Sequence, residues 1–279
     1  ANLVNRGLKG LDFLVVADFF LSETAQLADV VLPTTVWAED EGTTTNAEGR
    51  VIKINKAAEP PAGVLTDWQI LSRLAERLGR GEYFRYQKPA EIFEEFRRAS
   101  RGGTADYYGI TYARIERENG VFWPCPTPES PGVPRMFEER FHHPDGRAVM
   151  HAIEFRPAGE TPDEEFPLIL TTGRVVYHYL SGNQTRRVGF LMEQCPEPFL
   201  EIHPVTAAQV GAVDGMPVRV VTRRGEMVLK ARVVKTLRPD TLFIPYHWGE
   251  ALAANLLTNP ELDPICRMPE FKACAAADA

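Results

Sequence analysis

The stretch from Leu168 to Arg187 reads LILTTGRVVYHYLSGNQTRR, and the rest of the chain is interpreted from it. It begins as a short apolar strand and breaks at Gly173. Polar and cationic side chains then follow, namely Arg174, His178, Ser181, Asn183, Gln184, Thr185, Arg186 and Arg187. A glycine lets the backbone approach a ligand closely, and guanidinium, hydroxyl and amide groups suit phosphate oxygens. The stretch indicates a pocket for a large anion, although a strand followed by a solvated basic loop has the same pattern.

The composition is that of a globular protein, with 279 residues of which 44% are hydrophobic and 25% charged. The apolar runs are much shorter than the about 20 residues that a bilayer requires, so no membrane span is expected. A net charge of −7 argues against general nucleic-acid binding. The four cysteines are scattered without a CxxC pair, which predicts neither a zinc site nor a disulfide framework and favours a reducing, cytoplasmic compartment.

The beginning of the chain predicts part of an α/β layer. Phe13 to Ala17 and Asp29 to Pro33 read as strands, and their apolar character predicts cover on both faces, as in a parallel sheet. A short helical stretch, Ser22 to Ala28, joins them. Two such strands are half of a doubly wound layer, so we expect neighbouring strands to be missing. A start at Ala instead of Met favours a processed product or an excerpt of a longer protein.

The middle of the chain predicts a loop followed by helices. Residues Trp37 to Arg50 are acidic, hydroxyl-rich and interrupted by glycine, which predicts a long polar loop. A helix should begin after Thr66, with a capping box to Gln69, and end at Gly79. Its predicted inward face comprises Trp68, Leu71, Leu74, Ala75 and Leu78. A second amphipathic helix is predicted over Pro89 to Ser100, with Ile92, Phe93 and Phe96 inward.

An irregular crossover is predicted between Arg101 and Pro162, where Pro, Gly and aromatic residues are frequent. Asp145-Gly146 predicts a β-hairpin within it. Cys125 lies between prolines and reads as a buried apolar residue instead of a nucleophile. His142, His143 and His151 lack the spacing and the carboxylate partners of a metal site, so no metal ligand is predicted.

The last part of the chain predicts a small β-barrel of about a hundred residues. Val218 to Thr222 and Met227 to Val233 alternate as strands around a turn at Arg224-Gly225, which makes Arg223 an expected surface residue. A helix over Val205 to Val210 should end at Gly211. Leu242 to Pro245 is a buried strand that displays Tyr246, His247 and Trp248 at its end.

Several motifs in this order resemble the C-terminal part of the molybdopterin oxidoreductase family. The motifs are LADVVLPTTVWAEDEGTTTNAEGR, FWPCP, LTTGRVVYHYLSGNQTRR, EIHP through AAQVG to RRG, FIPYHW, ANLLTNPELDP and MPEFK. The resemblance is closest to the branch that contains formate dehydrogenases and assimilatory nitrate reductases, whose cofactor is a pair of molybdopterin guanine dinucleotides. It covers nearly the whole chain and is much less specific to the substrate.

The resemblance implies a fold class and a domain organisation. The fold expected is an α/β dinucleotide-fold remnant followed by a small barrel of the double-psi type that binds molybdopterin dinucleotide. Residues 1–80 would end the α/β cofactor-binding domain, and residues 81–162 would form an irregular, partly helical connection. Residues 163–279 would form the barrel.

The resemblance also assigns cofactor-binding residues to this chain. Those expected to contact the pterin and the pyrophosphate are Thr171, Thr172, Gly173, Arg174, His178, Ser181, Thr185 and Arg186, with Tyr246, His247, Asn255, Phe271 and Lys272 on the same side of the pocket. Leu180 and Gln184 depart from the residues that relatives often carry there. No catalytic residue and no metal ligand is expected in this chain, because the family's 4Fe-4S cysteines and its cysteine or selenocysteine ligand belong to an N-terminal part that these residues lack.

The implied function is a two-electron redox reaction of a small oxyanion at molybdenum or tungsten, with nitrate slightly preferred to formate. The expected partners are the remainder of the catalytic subunit and an electron-transfer subunit. Two alternatives stay open at this point. One is a non-catalytic scaffold like the large iron-sulfur subunit of NADH dehydrogenase, and the other is an isolated binding barrel.

Overall fold

The computed structural model describes residues 2–278 and divides into two units. One unit is Val15–Ala152, and the remaining described residues form the other. The chain begins with helix α1, Asn2–Lys9, which has no buried residue. Among the described residues, no helix has both the length and the apolar character that crossing a membrane demands.

The unit Val15–Ala152 opens with two parallel strands, β1 (Val15–Asp18) and β2 (Val30–Pro33). A 3-10 turn over Ala25–Leu27 joins them. The parallel pairing agrees with the sequence pattern, but the expected cover on both faces is wrong for the described chain, because Val15 and Val30 are exposed. Within the part that the structure describes, this sheet has two strands, so no neighbour supplies the second face.

A three-stranded antiparallel sheet follows, made of β3 (Gly42–Thr45), β4 (Arg50–Ile54) and β5 (Val121–Phe122). The prediction of a long loop over Trp37 to Arg50 is therefore wrong. Threonine is β-branched and forms strands readily even in a polar run. Asn46 makes the turn, since its side-chain oxygen accepts from the Arg50 amide at 3.0 Å.

Three helices complete this unit: α2 (Asp67–Arg77), α3 (Pro89–Ala99) and α4 (Tyr112–Glu118). The first two match their predictions, and the Thr66 amide donates to Gln69 Oε1 at 3.2 Å as the capping box requires. The inward face predicted for α2 is confirmed at Ala75, which is buried, but not at Leu71, Leu74 and Leu78, which are each more than half exposed. Hydrophobic periodicity marks a face that suits an apolar partner, but it does not supply one.

The core of this unit is small and mostly aliphatic. It comprises Val51, Phe93, Ile110, Ile115, Val121 and Cys125, so Cys125 is buried as predicted, whereas Phe96 of α3 is half exposed. Helix α4 was not predicted; the Thr111 hydroxyl caps it by accepting from the Arg114 amide at 3.2 Å. The hairpin predicted at Asp145-Gly146 is wrong, since a turn forms there without flanking strands.

The second unit contains a closed barrel of six strands, which confirms the barrel predicted from sequence. The strands are β6 (Leu168–Gly173), β7 (Phe199–Ile202), β8 (Pro217–Thr222), β9 (Gly225–Val233), β10 (Thr241–Pro245) and β11 (Cys274–Asp278). They close in the order β10-β6-β11-β8-β9-β7. Helices α5 (Gly189–Gln194) and α6 (Pro204–Val210) lie in the connections, and Gly211 ends α6 as predicted.

The barrel interior is filled by aliphatic side chains from all six strands, with Leu170, Leu200, Val220, Leu242 and Ile244 among those that are fully buried. Two strands, β7 and β11, were not predicted. The run that forms β11 is mostly alanine, a residue with low strand propensity. It becomes a strand because it pairs with β6 on one side and β8 on the other.

An ion-pair cluster fixes residues 158–163 to the barrel. Glu160 is nearly buried and accepts hydrogen bonds from Arg223 at 2.5 Å and from Arg224 at 2.6 Å. Arg223 also pairs with Asp163 and lies 4.6 Å from the ring centre of Phe166. Arg223 lies at the surface as predicted, but it is bound in ion pairs with Glu160 and Asp163.

Candidate cofactor-binding surface of the barrel

Two neighbouring parallel strands bring the predicted site residues to one rim of the barrel. Strand β6 pairs with β10 so that Gly173 lies opposite Pro245. Both strands therefore end at the same place, and the residues that follow them, Arg174 and Tyr246, emerge side by side. Their contact is direct, since Arg174 Nε donates to the Tyr246 hydroxyl at 2.6 Å.

The segment before β11 joins this rim. The Thr172 hydroxyl donates to the carbonyl of Phe271 at 3.0 Å, and Lys272 Nζ donates to the carbonyl of Thr172. Lys272 Nζ also lies 6.0 Å from the ring centre of Tyr246. The rim thus assembles two cations, a phenol and a threonine from three separate parts of the sequence.

Two glycines allow close packing at the rim. A Cβ on Gly173 would lie 2.4 Å from the Phe243 ring. Gly182 has a φ of +73°, and a Cβ there would lie 2.4 Å from the carbonyl oxygen of His247. Glycine is required at Gly182 by both the backbone conformation and the available space.

His178 is buried and fully bonded within the protein. Its Nε2 lies 2.8 Å from the carbonyl oxygen of Cys195, and its Nδ1 lies 3.2 Å from Thr185 Oγ1. The Thr185 hydroxyl also accepts from the Tyr179 amide at 3.2 Å. These contacts place His178 behind the rim, where it fixes the loop.

His247 is likewise behind the rim, with none of its surface exposed. Its Nε2 accepts from the Val175 amide at 2.9 Å, and its Nδ1 lies 2.5 Å from the carbonyl oxygen of Leu180. Burial lowers the pKa of His247, and the neighbouring His178 and Arg174 lower it further despite the Leu180 carbonyl. A neutral imidazole is the form that these contacts require.

The remaining predicted residues differ in their surroundings. Arg186 is half-buried, and its Nε is a buried donor without a hydrogen-bond partner among the described residues. Ser181 is exposed. Asn255 is also exposed, on a 3-10 turn over Ala254–Leu256, and its Oδ1 lies 3.4 Å from the Thr258 hydroxyl that donates to it.

Sequence reasoning assigned no role in the site to the residues that support this rim. Phe243 packs against Gly173, and Trp248, which is buried, lies 5.1 Å from His178 between ring centres. Cys195 contributes its backbone carbonyl, which bonds to His178 Nε2. The aromatic run after β10 was a visible signal for Trp248, whereas a backbone contact leaves no signature in the side-chain sequence.

The donor set suits a polyanionic ligand. Arg174 and Lys272 lie at the rim, and the unsatisfied Nε of Arg186 is a buried donor that a bound anion can complete. Within the described residues, no group of three or more His, Cys, Asp or Glu side chains could hold a metal ion. The residues present therefore fit a phosphate-bearing cofactor.

Comparison with known proteins agrees with this class of site. Residues 168–275 match the family model described as molydopterin dinucleotide binding domain, and residues 1–77 match the model described as molybdopterin oxidoreductase. The chain belongs to the molybdopterin oxidoreductase family, and its barrel is the dinucleotide-binding domain of that family.

The chain is similar to several curated proteins. It is 47% identical over 99% of its length to the assimilatory nitrate reductase catalytic subunit of Bacillus subtilis, of which it covers 39%. It is 44% identical over 98% of its length to the F420-dependent formate dehydrogenase 1 subunit alpha of Methanococcus maripaludis, of which it covers 40%. The chain thus spans about two fifths of the length of these relatives.

A solved structure shares the fold of the whole chain. Acetylene hydratase from Pelobacter acetylenicus superposes with a TM-score of 0.71 over 99% of this chain and 41% of its own, at 22% sequence identity. At that identity the likeness concerns the fold alone.

Proposed function

We propose that this chain is the dinucleotide-binding part of a molybdenum or tungsten oxidoreductase that carries molybdopterin guanine dinucleotide. The observation that carries the proposal is the rim itself, where Arg174, Tyr246 and Lys272 converge at the ends of two parallel strands of a barrel of the matching family. When bound, the cofactor supplies a metal centre that exchanges two electrons with a substrate.

Arg174 is the principal phosphate ligand in this proposal. Its Nε donates to the Tyr246 hydroxyl, and the side chain is exposed. Its two terminal nitrogens can therefore face a pyrophosphate. Tyr246 holds the guanidinium plane in a fixed orientation. This arrangement lowers the conformational entropy that Arg174 loses when the anion binds.

Arg186 and Lys272 complete the charge around the pyrophosphate. The buried Nε of Arg186 gains the partner that it lacks, which offsets part of the cost of its burial. Thr172 and Phe271 keep Lys272 at the rim through the contacts between β6 and the segment before β11. Gly173, Ser181, Thr185 and Asn255 form the border of the same surface in this proposal.

The finer fold assignments belong to the same proposal. We assign β1 and β2 to a dinucleotide-fold domain because they form a parallel pair and fall within the match at residues 1–77. The six-stranded closure with mixed parallel and antiparallel pairing supports a double-psi barrel. The domain limits proposed remain residues 1–80, 81–162 and 163–279.

Nitrate reduction and formate oxidation are the two reactions proposed. The relatives named for them are 47% and 44% identical to this chain, a difference that supports neither over the other. Both names favour a redox enzyme over a scaffold. The remainder of the catalytic subunit, a 4Fe-4S centre in it and an electron-transfer partner complete the proposal, and four unpaired cysteines favour a cytoplasmic location.

The test is an assay of the full-length protein that contains these residues. Purified protein should contain molybdenum or tungsten and release a guanine nucleotide on acid hydrolysis. It should reduce nitrate with a viologen donor or oxidise formate with a viologen acceptor. A folded protein that carries the cofactor but turns over neither substrate would exclude both reactions, and one without any pterin would exclude the cofactor.

A further inference from the structure

The imidazole of His247 bonds to the backbone near both ends of the loop that carries Arg174. His247 Nε2 accepts from the amide of Val175, and its Nδ1 contacts the carbonyl of Leu180, five residues further along the chain. A carbonyl can only accept, so Nδ1 must carry the proton; an amide can only donate, so Nε2 must be free of one. The two backbone partners therefore select the neutral Nδ1–H tautomer.

We infer that His247 is a positioning residue for the cofactor-binding rim: in its neutral form it holds loop 174–182 closed with Arg174 at the rim, and protonation at Nε2 releases the loop. Its link to a ligand rests on the proposed function, but the closing of the loop does not. The role differs from the direct cofactor contact expected from the family resemblance, because His247 has no exposed surface.

The groups around His247 oppose a second proton. Arg174 lies on the loop that His247 holds, and the ring centres of His178 and His247 are 5.8 Å apart. Tyr246 is a further titratable neighbour, at 4.8 Å between ring centres, and both Arg186 and the His247 carbonyl oxygen lie next to Gly182. Among the described residues, no carboxylate is among the groups that act on the pKa of this imidazole.

His178 provides an internal contrast. Its Nε2–H donates to the Cys195 carbonyl, and its Nδ1 faces the Thr185 hydroxyl. A hydroxyl can donate or accept, so Thr185 fits either hydrogen-bonding role of Nδ1. The Val175 amide that faces His247 cannot reverse. The loop should therefore respond to the protonation of His247 in particular.

The direction of the pH effect follows from the lowered pKa of His247. A histidine whose pKa is lower in the closed state stabilises that state. Its full stabilising effect is present above the ordinary pKa of 6.5 and is lost as the pH falls below that value. Loop 174–182 should thus be most protected above neutral pH and open as the solution becomes acidic.

Amide hydrogen exchange of the whole 279-residue chain tests the closing of the loop without any cofactor. At pH 7.5, His247→Leu, whose side chain can neither donate nor accept, should raise the opening of peptide 174–182 about tenfold, as expected when a hydrogen bond worth about 1.4 kcal/mol is lost. His203→Leu is the matched control, because His203 lies on the same barrel unit and accepts from the Val205 amide instead. Equal protection of the loop in the two variants would overturn the inference.

Two further readouts separate positioning from simple packing. In the wild-type chain, the imidazole ¹⁵N shifts of His247 should show an Nδ1–H tautomer, even if the variant fails to fold; an Nε2–H tautomer would overturn the inference. Protection of the loop, corrected for intrinsic exchange, should fall between pH 7.5 and 5.5 in the wild type and stay constant in His247→Leu. If residues 174–182 exchange faster in the full-length variant while its dinucleotide content is unchanged, only the link between the loop and the cofactor is overturned.

Discussion

Gly182 shows how one residue can determine the shape of the rim. Its positive φ places the backbone where a side chain would meet the carbonyl oxygen of His247 at 2.4 Å. The same residue sits within the loop that His247 holds, and beside Arg186. The absence of a Cβ therefore lets a cationic loop fold tightly over the end of strand β10.

Replacement of Gly182 by alanine should loosen this loop. The left-handed conformation costs alanine about 1 to 2 kcal/mol, and the contact with a backbone oxygen adds to that cost. Trypsin should then cleave after Arg186 and Arg187 about tenfold faster than in the wild type. Gly189→Ala is the control, because a Cβ at Gly189 meets nothing within 4 Å. Equal cleavage rates in the two variants would contradict this reading of Gly182.

At the scale of elements, Glu160 joins the segment that precedes β6 to the rest of the barrel. Burial raises the pKa of this carboxyl, but its bonds to Arg224 and Arg223 outweigh burial and hold the pKa below the ordinary 4.5. Arg224 also donates to the carbonyl of Leu257 at 2.9 Å. The cluster therefore connects the segment before β6, the turn between β8 and β9, and the loop after β10.

Glu160→Gln should destabilise the barrel by about 1.5 to 3 kcal/mol at pH 7, the usual value for hydrogen bonds to a charged group. The depressed pKa means that this contribution is present above pH 4.5 and is lost as pH falls below it. Amide exchange in β8 and β9 should thus differ between variant and wild type at pH 7 and converge near pH 3. Glu226→Gln, in an exposed pair with Arg219, is the control. A difference that persists undiminished at pH 3 would exclude the charge as its cause.

Sequence reasoning found the elements whose residues carry their own signal. The alternating strands β8 and β9, the apolar strands β6 and β10 and the helix α6 all formed as predicted. Strand β11 was missed because alanine has a low strand propensity, so its run carries no strand signal. The hairpin of β3 and β4 was missed because its threonines read as a polar loop.

The candidate site was predictable to a similar degree. Arg174, Tyr246 and Lys272 were expected in one place, and the structure brings them together. Sequence could not show that His178 and His247 face backbone atoms, because a carbonyl or an amide belongs to every residue. The distances show that both imidazoles bond to groups of the loop and its neighbours, and their contact with the cofactor stays a prediction.

At the scale of the whole molecule, the chain joins two units through a segment with large exposed side chains. Met150 and Phe155 are 94% and 91% exposed, whereas Phe166, just before β6, is 7% exposed. Residues from Gly159 onward are bonded to the barrel, since the Gly159 amide donates to Glu270 at 2.9 Å. The first point of attack by a protease should thus lie before Gly159.

Brief chymotrypsin treatment should cut after Phe155 and leave a resistant barrel fragment that starts at Arg156. Cleavage requires a segment that fits into the protease in extended form, which exposed residues outside strands and helices allow. Phe155→Ala should suppress this cut without a change in the cuts elsewhere. Early cleavage inside the barrel strands, with no fragment retained, would contradict the description of the barrel as a stable unit.

The most direct test of the central claim is the dinucleotide content of the full-length protein with Arg174 replaced by alanine. Loss of charge-assisted bonds worth about 1.5 to 3 kcal/mol should weaken cofactor retention roughly ten- to hundredfold. Arg238→Ala, which removes the same charge from an exposed site paired with Asp240, is the control. Guanine nucleotide released per mole of protein should fall in Arg174→Ala and stay at the wild-type level in Arg238→Ala. Equal, full occupancy in both variants would contradict the assignment of this rim as the cofactor-binding site.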